Sequence, residues 1–483
     1  MNATIPGYPE GISVVRNSQE MSLPRCLLIS SAFPPSSVVG ALRWEKLAGY
    51  LHDAGFALDV VTTGVDETES LDLTRLDGLP RSTRVFGVAR VPSMLLRLLN
   101  AVHITWARLR VGEEQANPRD STRRDAAVQS TLVRTTELER YPRTLQEWQR
   151  AYRGRLAREQ ESAWTGAAQR AASVLSKTTR YHAVFSSGPP NLCHQAAAIV
   201  AHQSCRPFIM DMRDPWGTAV AVVADSASAL EIRFARRTEA KCVRTAAAVV
   251  VNTGLARELL IRRYPGIASR CCVVMNGTDG DAPMELGARD RFTIVFAGSI
   301  YFDRNPRMVF RAAAQVIDRM ALTPADFGFN FIGSASSYGG ITTKQIAEEE
   351  GIGEYVETTP FIPRGELLKT LASASVLLSL PQDVETSIPA KIFEYMSFPA
   401  WLLVIAAQGS ATAQLLVGTD ADVVEPSDVS AMTDRIARRV QEFRAGVTAR
   451  PVGASGQFGR AEQARVLIGV LRGISPADPA ANG

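Results

Sequence analysis

The sequence predicts an α/β protein of two parallel-sheet domains. Apolar runs of strand length alternate with helix-length segments of 3.6 periodicity, and several of these runs end at a glycine where a loop opens a helix. Small residues are plentiful while aromatics are only 7%, which suits helices packed closely on parallel strands. At 483 residues the chain exceeds a single core, and length alone argues for two or three domains.

Residues 1–24 read as a disordered leader without an apolar targeting segment. Arg25 to Ser31 is the first strand; the loop Ala32 to Gly40 follows, then a helix with apolar positions Leu42, Leu47, Ala48 and Leu51 that ends at Gly55. Phe56 to Thr63 is the next strand, completing a βαβ unit. Gly40 sits where loop becomes helix, so it serves either turn geometry or a close backbone approach to a ligand. The turn lacks G-x-G-x-x-G, and a nicotinamide or flavin dinucleotide site loses its main support.

Val85 to Val91 is a strand and Ser93 to Arg110 a Leu-rich helix carrying Trp106. Residues 101–160 hold twelve arginines and eight acids, a local +4 equal to the charge of the whole chain. Two readings stay open for this insertion, about 93–160: a basic face resting on anionic lipid, or a helix on the sheet with a solvated arginine face. Asn117 to Val128 reads as a polar insertion, and helix resumes over Gln146 to Leu175.

Tyr181 to Ser187 is a strand, leading to Gly188-Pro189-Pro190 and an alanine-rich helix carrying His194. Strand Pro207 to Met210 runs into Asp211-Met212-Arg213-Asp214-Pro215-Trp216. Charged groups at a strand's carboxyl edge either face a ligand or pair with one another. Ala246 to Asn252 is a strand, with Thr253 capping the helix Leu255 to Arg263. Cys271 to Met275 leads to the turn Asn276 to Gly280, the expected domain boundary.

The second half repeats the rhythm with strands Phe292 to Ala297, ending at Gly298 and Ser299, Phe327 to Ile332, ending at Gly333, and Tyr355 to Phe361. The helix Pro363 to Ala374 and a strand at Val376 to Leu380 follow. Past the stretch from Asp383 to Trp401 come Val404 to Ala406, Asp422 to Pro426 and a terminal helix Gln457 to Leu471. The Asp383 to Trp401 stretch organises the rest: a short helix capped by Thr386 or Ser387, with Pro389 in its first turn, starts at a strand's carboxyl end. Its free amides face an anion there. Lys391 and Glu394 are an i, i+3 pair on one face, a cation for a diphosphate and a carboxylate for paired hydroxyls, or else a plain surface ion pair.

The net charge of +4 does not support nucleic-acid binding. Six cysteines without C-x-x-C spacing read as reduced and structural, hence a cytoplasmic protein, and five scattered histidines offer no metal cluster. The longest uncharged apolar runs, such as Pro399 to Ala407, fall short of the roughly 18 residues a bilayer span needs.

From Arg25 to Leu471 the order of motifs resembles the GT-B glycosyltransferases, in particular the family 4-like group of exopolysaccharide, capsule and O-antigen assembly. The matching segments are Phe33-Pro34-Pro35 through Gly40-Ala41-Leu42-Arg43, Ser186 to Pro190 with His194, Asp211 to Trp216, Asn276 to Asp279, Ala297-Gly298-Ser299, and Ser387 to Tyr395. The resemblance implies two Rossmann-like domains facing a cleft, 25–280 for the acceptor and 281–455 for a nucleotide-sugar. The terminal segment 456–483 would return its helix to the N-terminal domain.

It implies a retaining transfer to a glycan or polyprenyl-linked acceptor, with no cofactor or metal, at the inner face of the cell membrane. Lys391 and Arg304 would contact the diphosphate, Arg304 standing where the group usually has lysine. Glu394 would hold the ribose hydroxyls. Ser387, Ile388, Pro389 and Ala390 would lie along the donor with Gly298, Ser299 and Gly333, and Gly40 would approach the phosphate. Arg43, His194, Asp211, Arg213 and Asp214 would stand on the acceptor side. Two positions depart from the pattern: Thr386 replaces the first carboxylate of a Glu-x7-Glu pair, with Glu385 beside it, and Ser299 replaces an arginine. A nucleotide-sugar epimerase or hydrolase on the same fold, and a binding protein without catalysis, are the alternatives.

Overall fold

The computed structural model describes residues 12–17, 23–65, 71–91, 145–214, 216, 229–279, 289–300, 304–380 and 386–474. The chain divides into two compact units, one of Met1–Val251, Arg257–Cys272 and Ile468–Gly483, the other of Asn252–Ala256 and Val273–Leu467.

The first unit contains β1 (Ile12–Arg16), β2 (Arg25–Ile29), α1 (Val39–Asp53), β3 (Ala57–Thr63), β4 (Arg84–Val88), α2 (Leu145–Thr178), β5 (Tyr181–Gly188) and α3 (Leu192–Gln203). It continues with β6 (Phe208–Met212), α4 (Ala229–Thr245), β7 (Ala248–Val251), α5 (Gly254–Arg263) and β8 (Cys271–Val273). Thr253 caps α5, its Oγ1 accepting from Ala256 N at 3.0 Å. The sheet order is β1-β4-β3-β2-β5-β6-β7-β8, with β2 parallel to both β3 and β5. The order therefore reverses between β2 and β5, the switch point at which an open parallel sheet binds ligands.

Part of the expected leader is β1, an antiparallel edge strand pairing Ile12 with Val88 and Val14 with Phe86. Alternating Ile12 and Val14 give the strand an apolar face, a pattern too short to stand out from the flanking polar residues. The helix expected over Ser93 to Arg110, the insertion Asn117 to Val128 and the first 24 residues apart from 12–17, 23 and 24 lie outside the described residues, and α2 carries the described part of the 93–160 segment.

The second unit contains β9 (Phe292–Ala297), α6 (Arg307–Met320), β10 (Phe327–Ile332), the hairpin β11 (Ser337–Tyr338) and β12 (Ile341–Thr342), α7 (Thr343–Glu349), β13 (Val356–Thr359), α8 (Arg364–Ser373) and β14 (Val376–Ser379). Next come α9 (Ala390–Tyr395), β15 (Trp401–Ile405), α10 (Ala411–Leu416), β16 (Asp422–Val424) and α11 (Val429–Arg444), while α12 (Arg460–Gly473) belongs to the second unit up to Leu467 and to the first from Ile468. Its main sheet runs β13-β10-β9-β14-β15-β16, and every pair in it is parallel. Helices cover both faces, so the strands are apolar along their length, as in Phe327-Gly328-Phe329-Asn330-Phe331-Ile332. Phe310 packs edge-on against Phe329, ring centroids 5.3 Å apart. The strand order reverses between β9 and β14, the second switch point.

The boundary lies at Cys272/Val273 rather than in the turn Asn276 to Gly280. Arg460 of α12 explains the difference. Its guanidinium donates to the carbonyls of Asn276 and Gly277 and to Asp279, binding that turn to the second unit. Among the described residues no helix is long and apolar enough to cross a membrane.

At the amino edge of the first sheet Asp59 is wholly buried. It accepts from Arg25 Nη1 at 2.7 Å, Arg84 Nε at 2.8 Å and the Tyr181 hydroxyl at 2.7 Å. Four successive strands, β2 to β5, thus meet on one carboxylate. Removing a buried partner strands the opposing charges. Asp59→Ala is therefore expected to cost about 3–5 kcal/mol, read as a lower urea midpoint with an unchanged slope; a variant within 1 kcal/mol of the parent, taken as roughly the scatter of core substitutions, counts against this role.

Candidate functional site

At the second switch point two glycines take positive φ, Gly298 at 146° and Gly333 at 99°. A Cβ on Gly333 would stand 2.9 Å from the Gly298 carbonyl oxygen, and one on Gly298 would stand 2.6 Å from Lys391 Nζ. Only glycine lets the ends of β9 and β10 lie this close beneath a side chain. Tyr395 fixes the helix above them: its hydroxyl accepts from Ala297 N at 2.8 Å and lies 3.2 Å from Ala297 O. Sequence reasoning did not single out Tyr395; the signal was its i+4 spacing from Lys391 on a six-residue helix.

Lys391 Nζ is sealed from solvent and has no hydrogen-bond partner among the described residues. It sits 3.8 Å from the centroid of the Phe296 ring. Burial, with Arg304 adding its repulsion and Glu394 opposing, pushes the ammonium down to about 7. Arg304 is buried, with Nη1 donating to Ser299 O at 3.0 Å. Glu394 is half-buried, its Oε1 2.9 Å from Arg364 Nη1. The structure therefore brings Lys391, Arg304, Glu394, Gly298, Ser299 and Gly333 to one strand edge. A desolvated cation beside a second cation, without an acceptor, is a place where an anion gains most.

The approach to α9 differs from the expectation. The residue before the helix is Pro389, with no side-chain cap, and neither Thr386 nor Ser387 caps it. Thr386 lies four residues before the first helical position; its carbonyl accepts from Thr253 Oγ1 at 2.6 Å and its buried Oγ1 has no partner among the described residues. Ser387 O accepts from Thr412 Oγ1 at 3.4 Å, and Ile388 is buried. α9 has only six residues, and the amide of Ile392 is already taken by Pro389 O. Glu385 lies outside the described residues.

At the first switch point the acceptor-side candidates are largely spent on one another. Asp211 is fully buried; it receives Arg43 Nε and Nη2 at 3.1 and 2.9 Å, Trp44 Nε1 at 2.8 Å and Ser187 Oγ at 3.0 Å. Burial alone would raise this carboxyl, but Arg43, Trp44 and Arg213 together hold it below the usual range. Arg213 donates to the carbonyls of Gly188, Gly40 and Pro189 at 2.8 to 2.9 Å, tying two loops together. What Gly40 admits is this guanidinium: a Cβ there would stand 2.4 Å from Arg213 Nη1. Among the described residues the geometry of this cluster is that of an ion-pair network, as expected where buried charges must meet.

Asp214 is exposed beside them. His194 is buried, its Nδ1 2.7 Å from Ser186 Oγ and its Nε2 without a partner among the described residues. Burial pushes it down to about 3, so the imidazole is neutral. All six cysteines are free thiols, and burial pushes Cys26 and Cys242 up to about 12, which leaves them unreactive.

No family model matches the chain. It is 27% identical to D-inositol 3-phosphate glycosyltransferase 1 of Catenulispora acidiphila over 299 residues, 58% of this chain and 70% of that protein. Its fold is similar to sucrose-phosphate synthase from Thermosynechococcus elongatus, with a TM-score of 0.56 at 13% identity over 93% of this chain and 98% of the other. It is also similar to a TarM variant from S. aureus in complex with fondaparinux, alpha-GlcNAc-glycerol and UDP, with a TM-score of 0.56 at 9% identity over 93% and 100%.

The sealed amine of Lys391 has a cost that depends on pH. Between about 7 and 10.5 the unfolded chain holds a proton on this side chain that the folded chain lacks, so stability rises with pH across that window. Lys391→Met is expected to unfold at a higher temperature than the parent at pH 7, with the gap narrowing by pH 10. A gap that does not change with pH rejects the assignment.

Proposed function

We propose that this chain, a glycosyltransferase of the GT-B fold, moves a sugar from a nucleoside-diphosphate donor to a glycan or polyprenyl-linked acceptor with retention at the anomeric carbon. The carrying observation is Lys391: a buried ammonium without an acceptor among the described residues, beside Arg304 and above Gly298. UDP in the complex of the similar TarM structure supports a nucleotide donor. The relative's name, an inositol-phosphate glycosyltransferase, makes a small phosphorylated polyol the alternative acceptor.

In this reading the second unit holds the donor. Lys391 and Arg304 take the diphosphate, and Glu394 takes the ribose hydroxyls with its free oxygen. Thr386, in place of a first carboxylate, offers the sugar a neutral hydroxyl whose Oγ1 is unpaired. The bond from the anomeric carbon to the diphosphate oxygen breaks as the acceptor oxygen bonds the same face of that carbon, and the acceptor proton passes to the departing phosphate. Negative charge grows on the leaving group, and the two cations are in place before it forms. No metal or cofactor is called for in this scheme. Binding charges Lys391, since a diphosphate beside it raises a pKa of about 7 in the free protein. Donor affinity therefore falls as pH rises above 7.

Lys391→Ala and Glu394→Ala are each expected to lower kcat/KM by about a hundredfold or more with the circular-dichroism spectrum retained. The substrates for this test come from a thermal-shift screen of nucleotide-sugars against the parent protein. Undiminished turnover in either variant defeats the assignment. Donor consumed at full rate without an acceptor turns the reading to an epimerase or hydrolase.

A further inference from the structure

Arg364 is the first residue of α8, directly after Pro363. A cation at that position meets the positive end of the helix and gains nothing from it, whereas Glu366 in the same turn suits it. The guanidinium reaches instead to another element: Nη1 stands 2.9 Å from Glu394 Oε1 on α9. That oxygen is sealed from solvent and receives no well-directed hydrogen bond, so the contact is ionic. Glu394 nevertheless keeps 30% exposure, and with Oε1 sealed its open oxygen is Oε2. One carboxylate oxygen is thus turned inward on Arg364 and the other outward.

We infer that Arg364 is a positioning residue for the donor nucleoside: by holding Glu394 Oε1 it turns Oε2 toward the ribose. The inference rests on the reading of Glu394 as the ribose ligand. Neighbouring geometry places this segment at the same edge. Gly333 N donates to Thr359 O at 2.9 Å, so the chain that leads from β13 to Arg364 begins beside the glycine that covers Gly298. A second cation near Glu394 already exists in Lys391, but its ammonium lies over Phe296 and makes no hydrogen bond to the carboxylate. The orientation of Glu394 accordingly depends on Arg364.

The test uses the full chain and seven probes: UDP, GDP and ADP, their 2′-deoxy counterparts, and inorganic pyrophosphate as a ligand lacking a ribose. For the nucleotide that binds the parent most tightly, the ribo form is expected to outbind the deoxy form in calorimetric titration. Arg364→Met is expected to shrink that ratio at least threefold while pyrophosphate affinity stays put, and Arg364→Lys to recover part of it. Arg364 is 58% exposed, so neither substitution empties a core; circular dichroism and the thermal midpoint check this. An unchanged ribo-to-deoxy ratio in Arg364→Met overturns the inference. So does an equal loss for pyrophosphate, which marks a general loss of charge. A ratio of one in the parent protein overturns the reading of Glu394 itself, and the inference falls with it.

Discussion

An ammonium held out of water, without an acceptor among the described residues, is the feature on which the second unit turns. Desolvating a charge is expensive, and the folded chain answers by letting the amine of Lys391 shed its proton near neutrality and lie over an aromatic face. The neighbouring glycines and Tyr395 are arranged around it: Gly298 leaves room for its ammonium, Gly333 lies against Gly298, and Tyr395 holds the helix to Ala297. A stability cost concentrated at one strand edge is what a site made for a charged ligand looks like before that ligand arrives.

The first unit shows the contrasting use of charge. Asp59 and Asp211 are both buried, and each is met by arginine and by further donors. Asp59 lies at the amino edge of its sheet and Asp211 at the carboxyl edge, so one network ties the strands at their start and the other ties their loops. Once Arg43, Asp211 and Arg213 are paired, the groups of that edge that still lack a partner among the described residues are neutral ones, His194 Nε2 and Asn191 Oδ1. Among the described residues the two switch points therefore differ in character: paired charge in the first unit, and in the second a buried ammonium, Lys391, without an acceptor.

Much of this was legible in the sequence because parallel strands covered on both faces read as continuous apolar runs. Phe292 to Ala297 and Phe327 to Ile332 were bounded to the residue. Lys391, Arg304, Glu394, Gly298 and Gly333 came from motif order and do share one edge. Three things could not be read. β1 is five residues long and owes its existence to pairing with β4, seventy residues away in the chain, which no local pattern reports. The role of Asp211 stayed open because a strand-end carboxylate facing a ligand and a buried ion-pair partner have the same sequence signature. Thr386 looked like a cap because position relative to a helix start is uncertain by a turn, and Pro389 took that place. In the first two cases a partner distant in sequence decided the outcome.

The edge strand carries one more consequence. β1 covers the outer hydrogen-bonding rim of β4 with a segment that is only half-buried itself, and its Arg16 reaches Leu79 O at 2.8 Å. Were that segment to peel away, the amides and carbonyls of Val85 to Val88 would present an open template to any extended peptide, including another molecule's own amino-terminal stretch. Ile12 to Arg16 thus shields the protein from strand-by-strand polymerisation, and exchange of that segment between two molecules would offer a direct route to a dimer.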